Sequence, residues 1–149
     1  MLPARDVALI ADVLDTNILV HAVRGSITWQ RIKALRDPLM AELCPIYSVV
    51  TEAEIRTLAR VLEWGLPKVE QMNFLLQYFR RTEVSTPQVI EAYSLIDAYS
   101  RKQGIKMGKN DLWIAATANV NGGLLVTTDK DFEHLHGTFV NRFLIEAEK

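Results

Sequence analysis

Five short, mostly continuous apolar runs punctuate this chain: Ala8 to Leu14, Ile46 to Val50, Thr82 to Val84, Leu124 to Thr127 and Val140 to Ile145. A strand with one face in water alternates apolar and polar residues, whereas a strand covered on both faces reads as an unbroken apolar run. These runs therefore predict a parallel sheet enclosed by helices, an α/β architecture. The intervening segments carry helical periodicity. Glu52 to Glu63 places Ile55, Leu58, Ala59 and Leu62 on one stripe and stops at Trp64-Gly65, with Pro67 opening the next segment. Pro87, behind Ser85-Thr86, starts a helix that runs towards Gln103-Gly104, and Asn110 to Val120 forms another, closed by Asn121-Gly122-Gly123. No repeat, linker or low-complexity segment interrupts the pattern, so residues 1–149 are expected to form one domain.

Composition narrows the function classes. The 149 residues suffice for one core without disulfides or a structural metal. A net charge of −1 weighs against nucleic-acid binding driven by overall charge, but leaves local basic clusters at Arg31, Lys33 and Arg36 and at Arg101, Lys102, Lys106 and Lys109. The single Cys44 has no internal disulfide partner and is expected to be a small buried hydrophobe in a reducing compartment. The N-terminal stretch has an acid where a signal peptide needs apolar residues, and no apolar run is long enough to span a bilayer. A cytoplasmic protein with no membrane association is expected.

The acids give the scaffold its chemical character. Asp15 ends the first strand in "LDTNIL", Glu54 lies in the first turn after "IYSVV", Asp111 opens the helix "NDLWIAATA", and Asp129 follows "LLVT". In an open parallel sheet, the carboxyl ends of the strands and the first turns of the helices converge on one edge, where a ligand crevice forms. Each acid also has a structural explanation. "TEAE" is a capping box in which Thr51 and Glu54 satisfy backbone groups, with Glu52 as a nearby competitor. Asp111 or Asn110 suits a helix cap, and Asp129 and Asp131 suit an acidic turn. Asp15 is the exception, because Asn17 would cap the following helix equally well. Taken together, four acids at one edge favour a shared purpose: crowded carboxylates raise one another's proton affinity unless a cation neutralises them. Oxygen-only ligands suit a hard divalent ion, magnesium or manganese, and hence phosphate chemistry.

"VLDTNILVHA", "SVVTEAEIRTLA", "MGKNDLWIAATA" and "LLVTTDKDF", in this order and spacing, resemble the PIN domain, specifically VapC-type ribonuclease toxins of bacterial toxin–antitoxin pairs. The resemblance spans nearly the whole chain. It implies a PIN-like fold with a five-stranded parallel sheet flanked by helices on both faces, a magnesium-dependent endoribonuclease acting on RNA, a homodimer, and inhibition by a cognate VapB-like antitoxin. Carried over by position, Asp15, Glu54, Asp111 and Asp129 match the family's acidic site, with Asp15, Asp111 and Asp129 as metal ligands. Thr127 matches the hydroxyl residue two before the last acid, and Asn17 and Asp131 support the site, Asp131 as a substitute for or helper of Asp129. The segment before the first strand, roughly Met1 to Asp6, is longer than the resemblance implies and carries no assigned role.

Other readings fit less well. A haloacid-dehalogenase phosphatase needs a second aspartate where this chain has Asn17, a receiver domain needs a mid-chain acceptor aspartate absent between Asp37 and Asp97, and neither a Walker loop nor a GxGxxG turn occurs. The remaining alternative is a PIN-like module that binds RNA or acts as a scaffold without cleaving. For the acid near the second strand, helix geometry separates Glu52 from Glu54 by about 200°, so only one faces the crevice. Glu54 is expected there, with Glu52 paired to Arg56 on the solvated side. His21 is expected near the core, and His134 and His136 on a solvated turn. The stripe Met72, Leu75, Leu76 and Phe79 in "QMNFLLQYF" suits either core packing or an interface.

Overall fold

A computed structural model describes residues 10–147. Its five strands are β1 (Val13–Leu14), β2 (Ile46–Ser48), β3 (Arg80–Thr82), β4 (Leu124–Thr127) and β5 (Asn141–Leu144). They form one sheet in the order β3-β2-β1-β4-β5, and every pairing is parallel. The α-helices are α1 (Thr16–Arg24), α2 (Ile27–Arg36), α3 (Val49–Val61), α4 (Leu66–Tyr78), α5 (Pro87–Lys102) and α6 (Lys109–Asn121), with short 3-10 turns at Pro38–Met40 and Lys130–Leu135.

Successive side chains of a strand point to opposite faces, and here that alternation divides two cores. Leu14, Tyr47 and Val126 face one layer, packed with residues of α1 to α4 such as Ile18, Ile32, Ile55 and Leu75. Their neighbours Val13, Ile46 and Leu125 face the other, against Ile96 of α5 and Leu112 and Ile114 of α6. Helices cover both faces, which is why the central strands read as continuous apolar runs. Met72, Leu75, Leu76 and Phe79 are all buried in the first layer, so the stripe of "QMNFLLQYF" serves the core.

Several boundaries differ from the sequence expectation. Of the expected first strand, Ala8 and Leu9 lie outside the described residues, and only Val13 and Leu14 form strand. The second strand stops at Ser48 because its hydroxyl accepts the Val50 N–H and caps α3, drawing the β-branched pair Val49-Val50 into the helix. The third strand is Arg80–Thr82 rather than Thr82–Val84. It lies at the sheet edge, where exposed charged side chains are tolerated and discourage further pairing. Cys44 is exposed, not buried, its thiol directed at the carbonyls of Pro45 and Tyr78. His134 belongs to the second 3-10 turn and is half-buried, its Nε2 2.8 Å from Ser100 Oγ and its ring parallel to Tyr99. At "NGG", Gly122 takes a left-handed conformation, φ 68°, to close α6, and a side chain on Gly123 would collide with the Ala11 carbonyl. Among the described residues no helix is long and apolar enough to cross a membrane.

Candidate metal-binding active site

Asp15 leaves β1 at its carboxyl end, 3% exposed. The Thr16 N–H donates to Oδ1 at 2.7 Å, and the Thr127 hydroxyl, from the adjacent strand β4, donates to Oδ2 at 2.7 Å. Asp15 thereby caps α1, while Asn17, offered by the sequence as the alternative cap, sits inside the helix and is exposed at the cavity wall. The same Thr127 oxygen accepts the Asp129 N–H at 2.9 Å, so one hydroxyl orients both an acid and the turn that carries another.

Glu54 is not part of a capping box. Helix α3 is capped by Ser48 and begins at Val49, and Thr51 is buried within it. The Thr16 hydroxyl donates to Glu54 Oε1 at 2.6 Å, and the Asn110 amide donates to Oε2 at 3.1 Å. Glu52 points elsewhere: it pairs with Arg56 at 2.9 Å and Arg81 at 3.1 Å. The arginine hydrogen bond, foremost that of Arg56, holds its carboxyl below the usual range. The geometric separation of the two glutamates is as the helix period requires.

Asp111 lies in the first turn of α6, whose cap is Gly108 with no side-chain hydrogen bond, so neither Asp111 nor Asn110 caps that helix. Carboxylate oxygens of Asp111, Asp129 and Asp131 lie within 4.8 Å of one another. Asp129 caps the 3-10 turn by accepting the Asp131 N–H at 2.8 Å, which brings the second acid of "DKD" to the cluster as well. Asp15 is not one of this trio, but it is close enough to couple to it electrostatically. Burial pushes the Asp111 carboxyl up to about 7, helped by the charges of Asp15, Asp129, Glu54 and Asp131. Burial likewise raises Asp15 to about 6, against the opposing hydrogen bonds from Thr127 and Thr16. Carboxyls this reluctant to ionise are relieved by a cation, and an all-oxygen donor set fits a hard divalent ion.

Asp15, Asn17, Glu54, Asp111 and Asp129 line one open cavity of about 580 Å³, together with Thr16 and Asn110. A second cavity, about 410 Å³, adjoins it through Asp111 and takes in Asp131. Thr16 and Asn110, which hold Glu54, are not legible in the sequence as part of the site. The only local signal for Thr16 is its place next to Asp15, and Asn110 was readable only as a cap.

Comparison with solved structures supports this architecture. The chain superposes on FitAcB from Neisseria gonorrhoeae with a TM-score of 0.72 and 28% identity, covering 88% of this chain and 95% of that one. VapBC2 from Rickettsia felis, solved bound to a DNA fragment from its promoter, matches with a TM-score of 0.71 and 18% identity over 90% of this chain and 99% of the other. For VapBC-1 from nontypeable Haemophilus influenzae the values are 0.69 and 23%, over 91% and 98%. No curated protein sequence matches the chain. The PIN domain family model matches residues 13–137. Since that match runs unbroken from the first residue of β1 to beyond Asp131, and so takes in every acid of the sheet edge, the chain belongs to the PIN domain family.

Proposed function

We propose that this protein is a VapC-type toxin, a magnesium-dependent endoribonuclease held in check by a VapB-like antitoxin. The observation that carries the reading is the arrangement of five carboxylates: a trio at Asp111, Asp129 and Asp131, a buried Asp15, and a Glu54 tethered at both oxygens. Asp111 and Asp129, with Asp15 or Asp131, would hold the divalent ion. When bound, such an ion polarises a phosphate and makes water a stronger acid. Manganese would serve in its place, since the donors are all oxygen.

The chain's own residues do the rest. Each Glu54 oxygen accepts one hydrogen bond and keeps a second lone pair, so the carboxylate is fixed in direction yet free to take a proton from an attacking water. Thr127 holds Asp15 in place, and through the Asp129 N–H it also sets the start of the acidic turn. In-line attack of that water on phosphorus would form the new P–O bond and break the P–O3′ bond, leaving a 5′-phosphate and a 3′-hydroxyl whose oxygen takes its proton from solvent. No histidine is needed: His21 bonds to Ser26 and His134 to Ser100. An open edge crevice admits a splayed single strand or loop more readily than a duplex. The likeness to chains solved in VapBC and FitAB complexes supports antitoxin pairing, and the homodimer is carried by the family resemblance alone.

The test is cleavage of single-stranded and looped RNAs with magnesium or manganese, with EDTA as control. Cleavage that requires the metal is expected. Undiminished cleavage in EDTA refutes the mechanism, and no cleavage with either metal across several RNAs identifies a non-catalytic PIN-like module. A monomer by light scattering at micromolar concentration would refute the homodimer.

A further inference from the structure

The two cavities that meet at Asp111 differ in charge. Every ionisable residue in the lining of the larger is an acid. The smaller contains the only lysines of the pair, Lys106 and Lys130. Both are exposed. Among the described residues Lys106 makes no salt bridge, and Lys130 has only a 3.8 Å contact to an equally exposed Glu146, an arrangement worth little in water. Of the three acids in this lining, Asp111 and Asp131 belong to the carboxylate trio that a cation would neutralise, and Glu133 lies 3.9 Å from Arg142.

The rim that carries the lysines is firmly built. Fully buried Ser100, in α5, bonds to Met107 Sδ at 3.3 Å and to His134 Nε2 at 2.8 Å, and its carbonyl accepts the Ile105 N–H at 2.9 Å. One serine thus ties the loop bearing Lys106 to the 3-10 turn bearing Lys130 and Asp131. Met107 anchors the same loop by burying its side chain in the α5–α6 core. His134 Nε2 is engaged by the Ser100 hydroxyl, and Lys106 and Lys130 are the basic side chains that the lining leaves exposed.

A carboxylate cluster repels a polyanion, and a cation at the trio answers only the phosphate that it touches. The neighbouring phosphate needs its own countercharge. We propose that the smaller cavity seats the phosphodiester adjacent to the scissile one in single-stranded RNA, with Lys106 and Lys130 as positioning residues. This rests on reading the acidic edge as a ribonuclease site.

The experiment is binding of a short fluorescein-labelled single-stranded RNA, read by anisotropy across a potassium chloride series, with calcium replacing magnesium so that binding is separated from turnover. Each phosphate neutralised on a single strand contributes about 0.7 to the slope of log Kd against log salt, so Lys106→Ala with Lys130→Ala, which empties the one seat, lowers it by about 0.7. Lys106→Arg with Lys130→Arg restores it. Lys33→Ala with Lys68→Ala, on α2 and α4 across the sheet, leaves it unchanged. A double alanine variant with the slope and affinity of the wild type overturns the proposal, as does a wild type that binds no RNA. A lysine-dependent slope without cleavage in magnesium or manganese upholds the seat and overturns the ribonuclease reading. Cleavage with lysine-independent binding does the reverse.

Discussion

Replacing Asp15 by asparagine separates the charge of this side chain from its shape. The amide oxygen still accepts the Thr16 N–H, and the amide nitrogen donates to Thr127 Oγ once that hydroxyl turns round, so both local bonds survive. What disappears is a buried negative charge. Burial is the main reason that this carboxyl is raised from 3.8 to about 6, and that shift is worth about 3 kcal/mol. The native state binds this proton more tightly than the unfolded chain does, so the contribution of Asp15 to stability is full below pH 3.8 and is lost as pH rises through about 6. At pH 8 without metal, Asp15→Asn is therefore expected to be the more stable protein. For a chain of this size the gain is roughly 6–12 °C in Tm as an upper bound. At pH 4 the gap closes. Magnesium stabilises the wild type and narrows the difference at pH 8. Circular-dichroism melts at the two pH values, in EDTA and then in magnesium, test each step. A variant that melts well below the wild type at pH 8 in EDTA would show that the carboxylate acts as a net-stabilising helix cap. An equal gain at pH 4 and pH 8 would show that charge is not the cause.

Asp111→Asn is expected to abolish cleavage and to raise the metal-free melting temperature above pH 7, by less than Asp15→Asn because water screens this less buried group; a sharp fall in Tm would contradict the repulsion argument. Glu54→Gln should reduce the cleavage rate by roughly 10² or more while preserving the contacts to Thr16 and Asn110 after an amide flip. Glu52→Gln, which removes only surface pairs with Arg56 and Arg81, should leave the rate nearly unchanged. Full activity in a folded Glu54→Gln protein would sink the proton-acceptor role. Thr127→Val keeps the side-chain volume but strips the bonds to Asp15 and to the Asp129 N–H, so a magnesium titration of activity should show roughly 10–100-fold weaker metal dependence. An unchanged titration would mean that the hydroxyl has no part in arranging the acids.

The sequence by itself carried the layer architecture and the chemistry of the edge. Continuous apolar runs such as Leu124–Thr127 specify strands buried on both faces, and the helical stripe through Ile55 and Ala59 specifies which side of α3 packs. The helix period alone separated Glu54 from Glu52, and the Arg56 pairing followed. These features are legible because periodicity, turn chemistry and i,i+4 neighbours involve residues close in the chain. Boundaries were less so: Val49 and Val50 have strand propensity, but the Ser48 cap and the packing of α3 overrule it.

Tertiary structure alone decided how the acids are held. Thr16 reaches Glu54 across 38 residues, Asn110 reaches it across 56, and Thr127 reaches Asp15 across 112. Those contacts arise from the parallel register that sets Leu14 beside Val126 and from crossovers that return α3 and α6 to the same edge. The reading of "TEAE" as a capping box failed for this reason: a local motif supplied a partner for Glu54, but the fold started the helix earlier and offered two others. The trio of Asp111, Asp129 and Asp131 likewise depends on how the 3-10 turn after β4 leans towards α6, and the Ser100 bridge to His134 and Met107 on how α5 lies against both. A sequence names the groups available for hydrogen bonding and charge pairing. Which of their atoms come within 3 Å is settled only when the long-range packing of sheet and helices closes.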